Sequence, residues 1–414
     1  MSDGKVLLLG CGMQGKAALY DLLGSDGVTK IVVADASSKL QEDVARLQSN
    51  KVEAVKLDAD NCTQVKELMA EADVVVELLP GSFAFGMAEL AVEVGVDLIT
   101  SMYLVNPGEQ DAAKAEKQRK ALSALSDQAR QKGVTILQEF GMDPGVDLVL
   151  GKRALEELDE VKAFHSYGAG FPELSAADNP LRYKFTWSII GVMKSYLRPA
   201  KILDENRVVE IPADEMFAPK NTHLLDLAEM GSPLECFPNG DALAFAEVFG
   251  LGEAVESMGR YICRWPGHGS FWWKMAKSGF LRAEPVSMNG AGDVAPVEFC
   301  ASLLASQDQF YYREDERDVA LVRSDVRGTR DGKPVRVVWQ ITDYRDLATG
   351  FTAMQRTVGF PMSIGAQMIM DGTIDKKGVI HPMEVPFDPF MKELGNRGIQ
   401  AVRFEEEWDG DLKP

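Results

Sequence analysis

The chain has few of the residues from which metal and redox centres are built. Five cysteines (Cys11, Cys62, Cys236, Cys263 and Cys300) stand in 414 residues, and none forms a C-x-x-C pair. Neither a disulfide framework nor a zinc cluster is expected from that spacing. The four histidines, His165, His223, His268 and His381, show no H-x-x-x-H spacing, so no metal site is expected. A P-loop and a Gly-x-Ser-x-Gly elbow are also lacking, which removes the commonest signatures of phosphoryl transfer and serine hydrolysis. No apolar run reaches the roughly 18 residues of a membrane span. No signal peptide is visible ahead of the first apolar run, and the reading is a cytoplasmic protein in a reducing compartment. Positive charge is in deficit, with 44 Lys and Arg against 63 Asp and Glu and a net charge of −19. Nucleic acid and anionic membranes would be repelled and are not expected as partners. Internal repeats and low-complexity stretches are absent.

What the chain does have begins at once. Lys5-Val6-Leu7-Leu8-Leu9 is an apolar run of strand length, followed by Gly10-Cys11-Gly12-Met13-Gln14-Gly15 and then by Lys16 to Leu23 at helical spacing. In a strand–G-x-G-x-x-G–helix unit the first glycine makes the tight turn. The second lets a pyrophosphate approach the backbone, the third lets helix and sheet pack closely, and the helix N-terminus offers N–H groups to the anion. Gly10, Gly12 and Gly15, with Met13 and Gln14 between the last two, are therefore read as cofactor-binding. A second strand, Lys30 to Ala34, ends at Asp35, 20 residues after Gly15. A carboxylate there suits the ribose hydroxyls and repels a 2′-phosphate, which favours NAD with NADP as the alternative.

Strands and helices continue to alternate to about residue 140. A strongly apolar strand ends at Leu79-Pro80-Gly81, another at Ser101, and a sixth at Gln138. This alternation predicts an α/β fold with an N-terminal Rossmann doubly wound parallel sheet. Ligands of such sheets lie at the carboxyl ends of the strands, which adds Leu79 and Pro80 to the cofactor residues. The pattern then changes to a mixed α+β region with a hairpin over Lys201–Pro212. Longer antiparallel strands flank the turn Asp331-Gly332. The expected domains are 1–145 (dinucleotide-binding), 146–355 (mixed α+β, substrate and dimerisation) and 356–414 (a helical segment packing back on the first domain). The acidic tail Glu405-Glu406-Glu407 is expected to be solvated.

At the domain junction the residues become specific. Gly141-Met142-Asp143-Pro144-Gly145-Val146-Asp147 resembles the G-[LM]-D-P-G-[IV]-D element of the saccharopine dehydrogenase family, above all its glutamate-forming reductases. Asn179-Pro180-Leu181-Arg182-Tyr183-Lys184-Phe185-Thr186-Trp187-Ser188 is similar to the family's N-P-L-x-Y-K-F-S-W-S. Phe237-Pro238-Asn239-Gly240-Asp241 and Arg260 to His268 match two looser motifs. The resemblance covers about residues 4 to 385. It implies an NAD(P)-dependent enzyme that joins or cleaves the secondary amine of an amino acid by hydride transfer, and a homodimer. Lysine 6-dehydrogenases and carboxynorspermidine dehydrogenases are relatives with other substrates. A lysine 6-dehydrogenase-like deaminase and a non-catalytic NAD-sensing protein remain open as alternatives.

Oxidation beside an amine leaves an imine that water hydrolyses, so the site needs groups that handle protons. Asp143, Tyr103 and Lys184 are the candidate catalytic residues, and Asp143 is the first choice for the substrate amine. Its alternative is to cap the helix opened by Pro144. Ser101, Arg182 and Arg264 are the candidate substrate-binding residues, the arginines for carboxylates. His268 is the one histidine placed near them. One departure stands out: Gly240 replaces the arginine that the family usually carries in this motif, so another basic residue, Arg182 or Lys184, must take over its carboxylate, or the substrate has fewer of them.

Overall fold

Alternating apolar strands and amphipathic helices build the first sheet. The computed structural model describes residues 4–106, 109, 111–252, 254–290 and 292–414. The N-terminal elements are β1 (Lys5–Leu9), α1 (Met13–Gly24), β2 (Lys30–Asp35), α2 (Leu40–Ala45), β3 (Val52–Lys56), α3 (Cys62–Met69), β4 (Val74–Glu77), α4 (Ala84–Val94), β5 (Asp97–Thr100), α5 (Ala112–Lys132) and β6 (Thr135–Leu137). There follow α6 (Val146–Glu156), β7 (Glu160–Pro172), α7 (Ile189–Ser195), β8 (Ala200–Asp204), β9 (Arg207–Ile211), β10 (His223–Leu225), β11 (Leu234–Pro238), α8 (Leu243–Val248), β12 (Ser257–Arg264) and α9 (His268–Lys277). The chain closes with β13 (Val286–Met288), β14 (Gly292–Val294), α10 (Pro296–Ala305), β15 (Asp318–Arg330), β16 (Lys333–Tyr344), α11 (Ala353–Met370), β17 (Gly378–Ile380), α12 (Phe387–Asn396) and β18 (Ala401–Glu407).

Two compact units result, Met1–Val149 with Gln355–Gln400, and Leu150–Met354 with Ala401–Pro414. The first holds a parallel seven-stranded sheet in the order β17-β6-β5-β4-β1-β2-β3, a Rossmann-type doubly wound arrangement. Its central strands are covered on both faces, so they read as continuous apolar runs: Leu7, Leu8 and Leu9 of β1 and Val74, Val75 and Val76 of β4 are all fully buried. The second unit holds a mixed sheet in the order β10-β11-β12-β7-β15-β16-β18, with the β8–β9 hairpin attached to β12. The hairpin β15–β16 turns at Asp331 (φ +51°) and Gly332 (φ +70°), the left-handed pair that a two-residue turn needs.

Two expectations about residues 356–414 need correction. β17 lies inside that stretch and pairs in parallel with β6, which makes a seventh strand where the sequence suggested only helix. Ala401–Glu407 is a strand of the second unit, paired antiparallel with β16, and so does not belong to a segment on the first domain. The acidic residues of that strand are exposed, as expected, and carry surface ion pairs: Glu405 meets Arg330 and Arg403, and Glu406 meets Arg336.

Candidate active site

The glycine turn is built as its spacing predicts. Gly10 has φ +90°, and a Cβ there would lie 2.6 Å from the carbonyl oxygen of Leu78. At Gly15 a Cβ would meet the Gly10 carbonyl oxygen at 2.1 Å, so helix α1 packs against the turn only without a side chain. At Gly12 a Cβ would meet nothing within 4 Å, and the backbone there is open. Helix α1 starts without a side-chain cap and without an acid in its first turn, which leaves its N–H groups for an anion. Met13 is exposed, whereas the Oε1 of Gln14 is buried without a hydrogen-bond partner. Asp35 accepts the N–H of Cys11 at 2.6 Å and that of Ser37 at 2.7 Å, tying the end of β2 to the turn. Burial, with the Asp35 charge second, pushes the Cys11 thiol up to about 11, so it stays protonated and fills space. An open backbone, an uncapped helix start and a carboxylate at the end of β2 fit a dinucleotide.

The loops after β4, β5 and β6 meet beside this turn. Leu78 donates its N–H to the Leu9 carbonyl, Phe140 to Thr100 at 2.9 Å and Glu139 to Met102 at 3.1 Å. Met102 Sδ lies 3.5 Å, and the Cβ of Ser101 3.4 Å, from where side chains at Gly81 and Gly141 would begin. Leu79, Ser101, Tyr103 and Asp143 are half-buried on this edge and Pro80 is exposed. Asp143 precedes a cis peptide bond to Pro144. Helix α6 opens only at Val146, and the Gly145 N–H is taken by Asp147 at 2.7 Å, so Pro144 does not start the helix.

Sequence reasoning missed two acids on this edge. Glu139 is buried with φ +60° and lies 3.4 Å from His381 at the end of β17, a strand whose own short pattern gave no signal. Glu77 closes β4 and is fully buried; the signal for it was an acid at the end of three valines.

In the second unit the N-P-L-R-Y-K-F motif folds around Asn179. Its Oδ1 accepts the N–H of Leu181 at 3.0 Å and of Tyr183 at 3.3 Å, and its Nδ2 donates to the carbonyls of Tyr183 and Gln309. Arg182 takes φ +48° at the bend, with its guanidinium 5.7 Å from the centre of the Trp265 ring. Lys184, expected as a proton carrier, is sequestered: it is 1% exposed, with Nζ 2.6 Å from Glu316 and 3.0 Å from Asp178. That ion pairing makes it a fastener of the motif. Arg264 is 5% exposed, donates to the Cys263 carbonyl at 2.8 Å and stands 4.7 Å from the centre of the Tyr183 ring. Its Nε has no partner, and no carboxylate among the described residues pairs with it. His268 is buried against the Tyr196 hydroxyl at 2.8 Å. Burial, with the Arg264 charge second, pulls its pKa down to about 3, so it is neutral. Gly240 has φ +66°, and the nearest atom to a Cβ there is Cδ of Arg198 at 3.9 Å. Arg198, which the sequence did not single out, is thus the basic residue beside the vacated arginine position. The described residues form no cluster of metal-ligating side chains.

Comparison with known proteins agrees with this geometry. Residues 6–137 match the saccharopine dehydrogenase NADP binding domain, and residues 141–399 match the saccharopine dehydrogenase C-terminal domain. The chain is 24% identical over 453 residues to saccharopine dehydrogenase (NADP(+), L-glutamate-forming) of Saccharomyces cerevisiae, covering 95% of this chain and 97% of that one. It is also 24% identical to alpha-aminoadipic semialdehyde synthase of Arabidopsis thaliana, covering 92% of this chain but only 41% of that longer one. The apo saccharopine dehydrogenase (L-Glu forming) structure from Saccharomyces cerevisiae shares the fold, with a TM-score of 0.82 at 23% identity over 97% of this chain and 100% of that one. With both domains present in order over nearly its whole length, the chain belongs to the saccharopine dehydrogenase family.

Proposed function

We propose that the chain is a dehydrogenase of CH–NH bonds that uses a nicotinamide dinucleotide and acts on a secondary amine of an amino acid, with saccharopine as the first candidate substrate. One observation carries this reading: the open glycine turn and the half-buried Ser101, Tyr103 and Asp143 share one carboxyl edge of the parallel sheet. The relatives' names supply the substrate, and the site supplies groups suited to it.

A bound nicotinamide cofactor would supply the hydride acceptor for the carbon beside the amine, and the product imine would be hydrolysed by water. Gly10, Gly12, Met13, Gln14 and Gly15 would hold the pyrophosphate through backbone N–H groups. Asp35 would take the adenosine ribose, and Leu79 and Pro80 would border the nicotinamide half. Its carboxylate repels a 2′-phosphate, which supports NAD over NADP although the family domain is described as NADP binding. Asp143 accepts a proton from the substrate ammonium, and Tyr103 and Ser101 orient the amine by hydrogen bonds. Taken by itself, the second unit offers Arg264, a buried cation that no carboxylate among the described residues pairs with, as the candidate binder of a carboxylate. Arg182, with Arg198, is the further basic candidate. A reducing cytoplasm and a homodimer complete the proposal; five free cysteines accord with the first, and no described helix is long and apolar enough to cross a membrane.

The test is an absorbance assay for the reduced cofactor, with saccharopine, lysine and carboxynorspermidine offered with NAD and NADP. Turnover on saccharopine is expected. Turnover on lysine alone would replace this reading with an ε-deaminase, and cofactor binding without turnover on any amine would support a sensor.

A further inference from the structure

The strand order splits the ligand edge into two halves. It runs β3-β2-β1 on one side and β4-β5-β6 on the other, with the reversal between β1 and β4. In this arrangement adenosine belongs to the first half and nicotinamide to the second. On the nicotinamide half, β4 ends in the fully buried Glu77. One carboxylate oxygen accepts the Leu79 N–H at 2.9 Å. The other accepts the Thr100 hydroxyl at 2.5 Å, and Thr100 Oγ1 in turn accepts the Met102 N–H at 3.0 Å. One acid thus braces the loops after β4 and β5.

Packing does not call for that acid. The three residues before it are buried valines, and an apolar residue would continue the strand. A buried carboxylate is costly unless it is paired, yet no cation among the described residues pairs with Glu77. The groups that face it are the Thr100 hydroxyl from β5 and the Leu79 N–H from its own loop, and no charged side chain figures among them. Burial outweighs both hydrogen bonds and lifts its pKa to about 7. The missing countercharge has a natural source in the reaction, because the oxidised nicotinamide ring is a cation and the reduced ring is neutral.

We propose that Glu77 sets the chain's relative affinity for the oxidised and reduced cofactors, its carboxylate opposing the charge of the oxidised ring and taking up a proton when that charge is lost. The inference rests on the dehydrogenase reading and deepens it. The balance is simple. A hydride leaves the substrate carbon for the nicotinamide, the ring charge falls by one unit, and a solvent proton on Glu77 restores the charge of the site. No bond forms between Glu77 and the cofactor, so it is a specificity-determining residue rather than a catalytic one.

The test needs no substrate. Dissociation constants for NAD+ and NADH, and for NADP+ and NADPH, are measured by calorimetry on the full chain from about pH 5.5 to about pH 9, spanning the buried carboxyl. In the wild type, preference for the oxidised form should rise with pH by about tenfold, a size typical of one unit charge at an effective protein dielectric. Oxidised-cofactor binding should also release a proton near neutral pH, visible as an enthalpy that depends on the buffer. Glu77→Gln keeps the shape and an acceptor for Leu79. It should weaken oxidised-cofactor binding about tenfold, change reduced-cofactor binding less than twofold, and flatten the pH profile. If Glu77→Gln does not fold, Thr100→Val carries the test: losing the hydroxyl donor should move the pH midpoint upward while both limits stay. An unchanged preference and pH profile in the variants would overturn the role of Glu77. Wild-type protein that binds neither cofactor pair would overturn the dehydrogenase reading itself.

Discussion

On the carboxyl edge of the first unit the candidate side chains Ser101, Tyr103 and Asp143 are half-buried, and the architecture beneath them is mostly backbone: N–H to carbonyl bonds join the loops after β4, β5 and β6. In the second unit the motif side chains are themselves the architecture. Lys184 lies between Glu316 and Asp178, Asn179 folds its own loop, and Asp325 is enclosed by Arg323, Arg327 and Arg336. A substitution in the first unit should therefore cost function first, and one in the second should cost stability first. The comparison can be read by fluorescence, because all six tryptophans (Trp187, Trp265, Trp272, Trp273, Trp339 and Trp408) belong to the second unit.

The largest effect should come from Lys184→Met. It removes the buried cation of Glu316, 6% exposed, and leaves the exposed Arg313 as its remaining charged partner, and urea unfolding followed by tryptophan fluorescence should show a loss of about 3 kcal/mol. A stable variant with normal unfolding and lost turnover would instead restore Lys184 as a proton carrier. Acid should act on the same unit. Burial pushes the Asp325 carboxyl up, but hydrogen bonding to Arg336 and the charges of Arg327 and Arg336 outweigh it and hold it well below the usual range. A depressed pKa gives stability that is full above the unfolded value near 4 and is lost as pH falls further. Tryptophan-monitored stability should thus drop by about 2–3 kcal/mol as pH falls below about 4, and Asp325→Asn should remove that slope.

Arg264→Lys crosses the comparison, since it keeps the buried charge and removes the fork. A rise in KM of about a hundredfold for a carboxylate substrate is expected, with the cofactor dissociation constant unchanged. Loss of folding alone would make Arg264 structural. Asp143→Asn should lower kcat at least tenfold, roughly the floor for removing a proton acceptor, and leave both cofactor binding and unfolding as they were. Unchanged turnover would remove Asp143 from the chemistry. The smallest effect is expected for Asp35→Ser, which should narrow the preference for NAD over NADP by about fivefold in dissociation constants without altering the substrate KM.

Local chemistry decided how much could be read from sequence. The glycine turn was readable because its constraints are short-range: Gly10 needs its φ, and Gly15 lies against the carbonyl of Gly10. The central strands β1 and β4 were readable because parallel strands covered on both faces are continuously apolar. β17 was not, because three residues, Gly378 to Ile380, carry no periodicity and find their place only by pairing with β6. Lys184 stood out by motif, but its partner Glu316 lies 132 residues away, and no local pattern announces such a pair. Glu77 and Glu139 were hidden for the same reason: their partners Thr100 and His381 come from other strands or strand ends.

The order in which the chain passes between its units bears on how it is made. It crosses after Val149, after Met354 and after Gln400, so each unit is interrupted by the other. During synthesis the first six strands of the parallel sheet emerge early, but β17 and helix α11 follow only after some two hundred further residues have been added. The nascent first unit must wait with its β6 edge unpaired, while β15 and β16 wait in turn for β18. A single cut therefore releases neither unit whole, and a translation arrest anywhere between β6 and β17 leaves an open strand edge of the kind that chaperones meet and aggregates grow from.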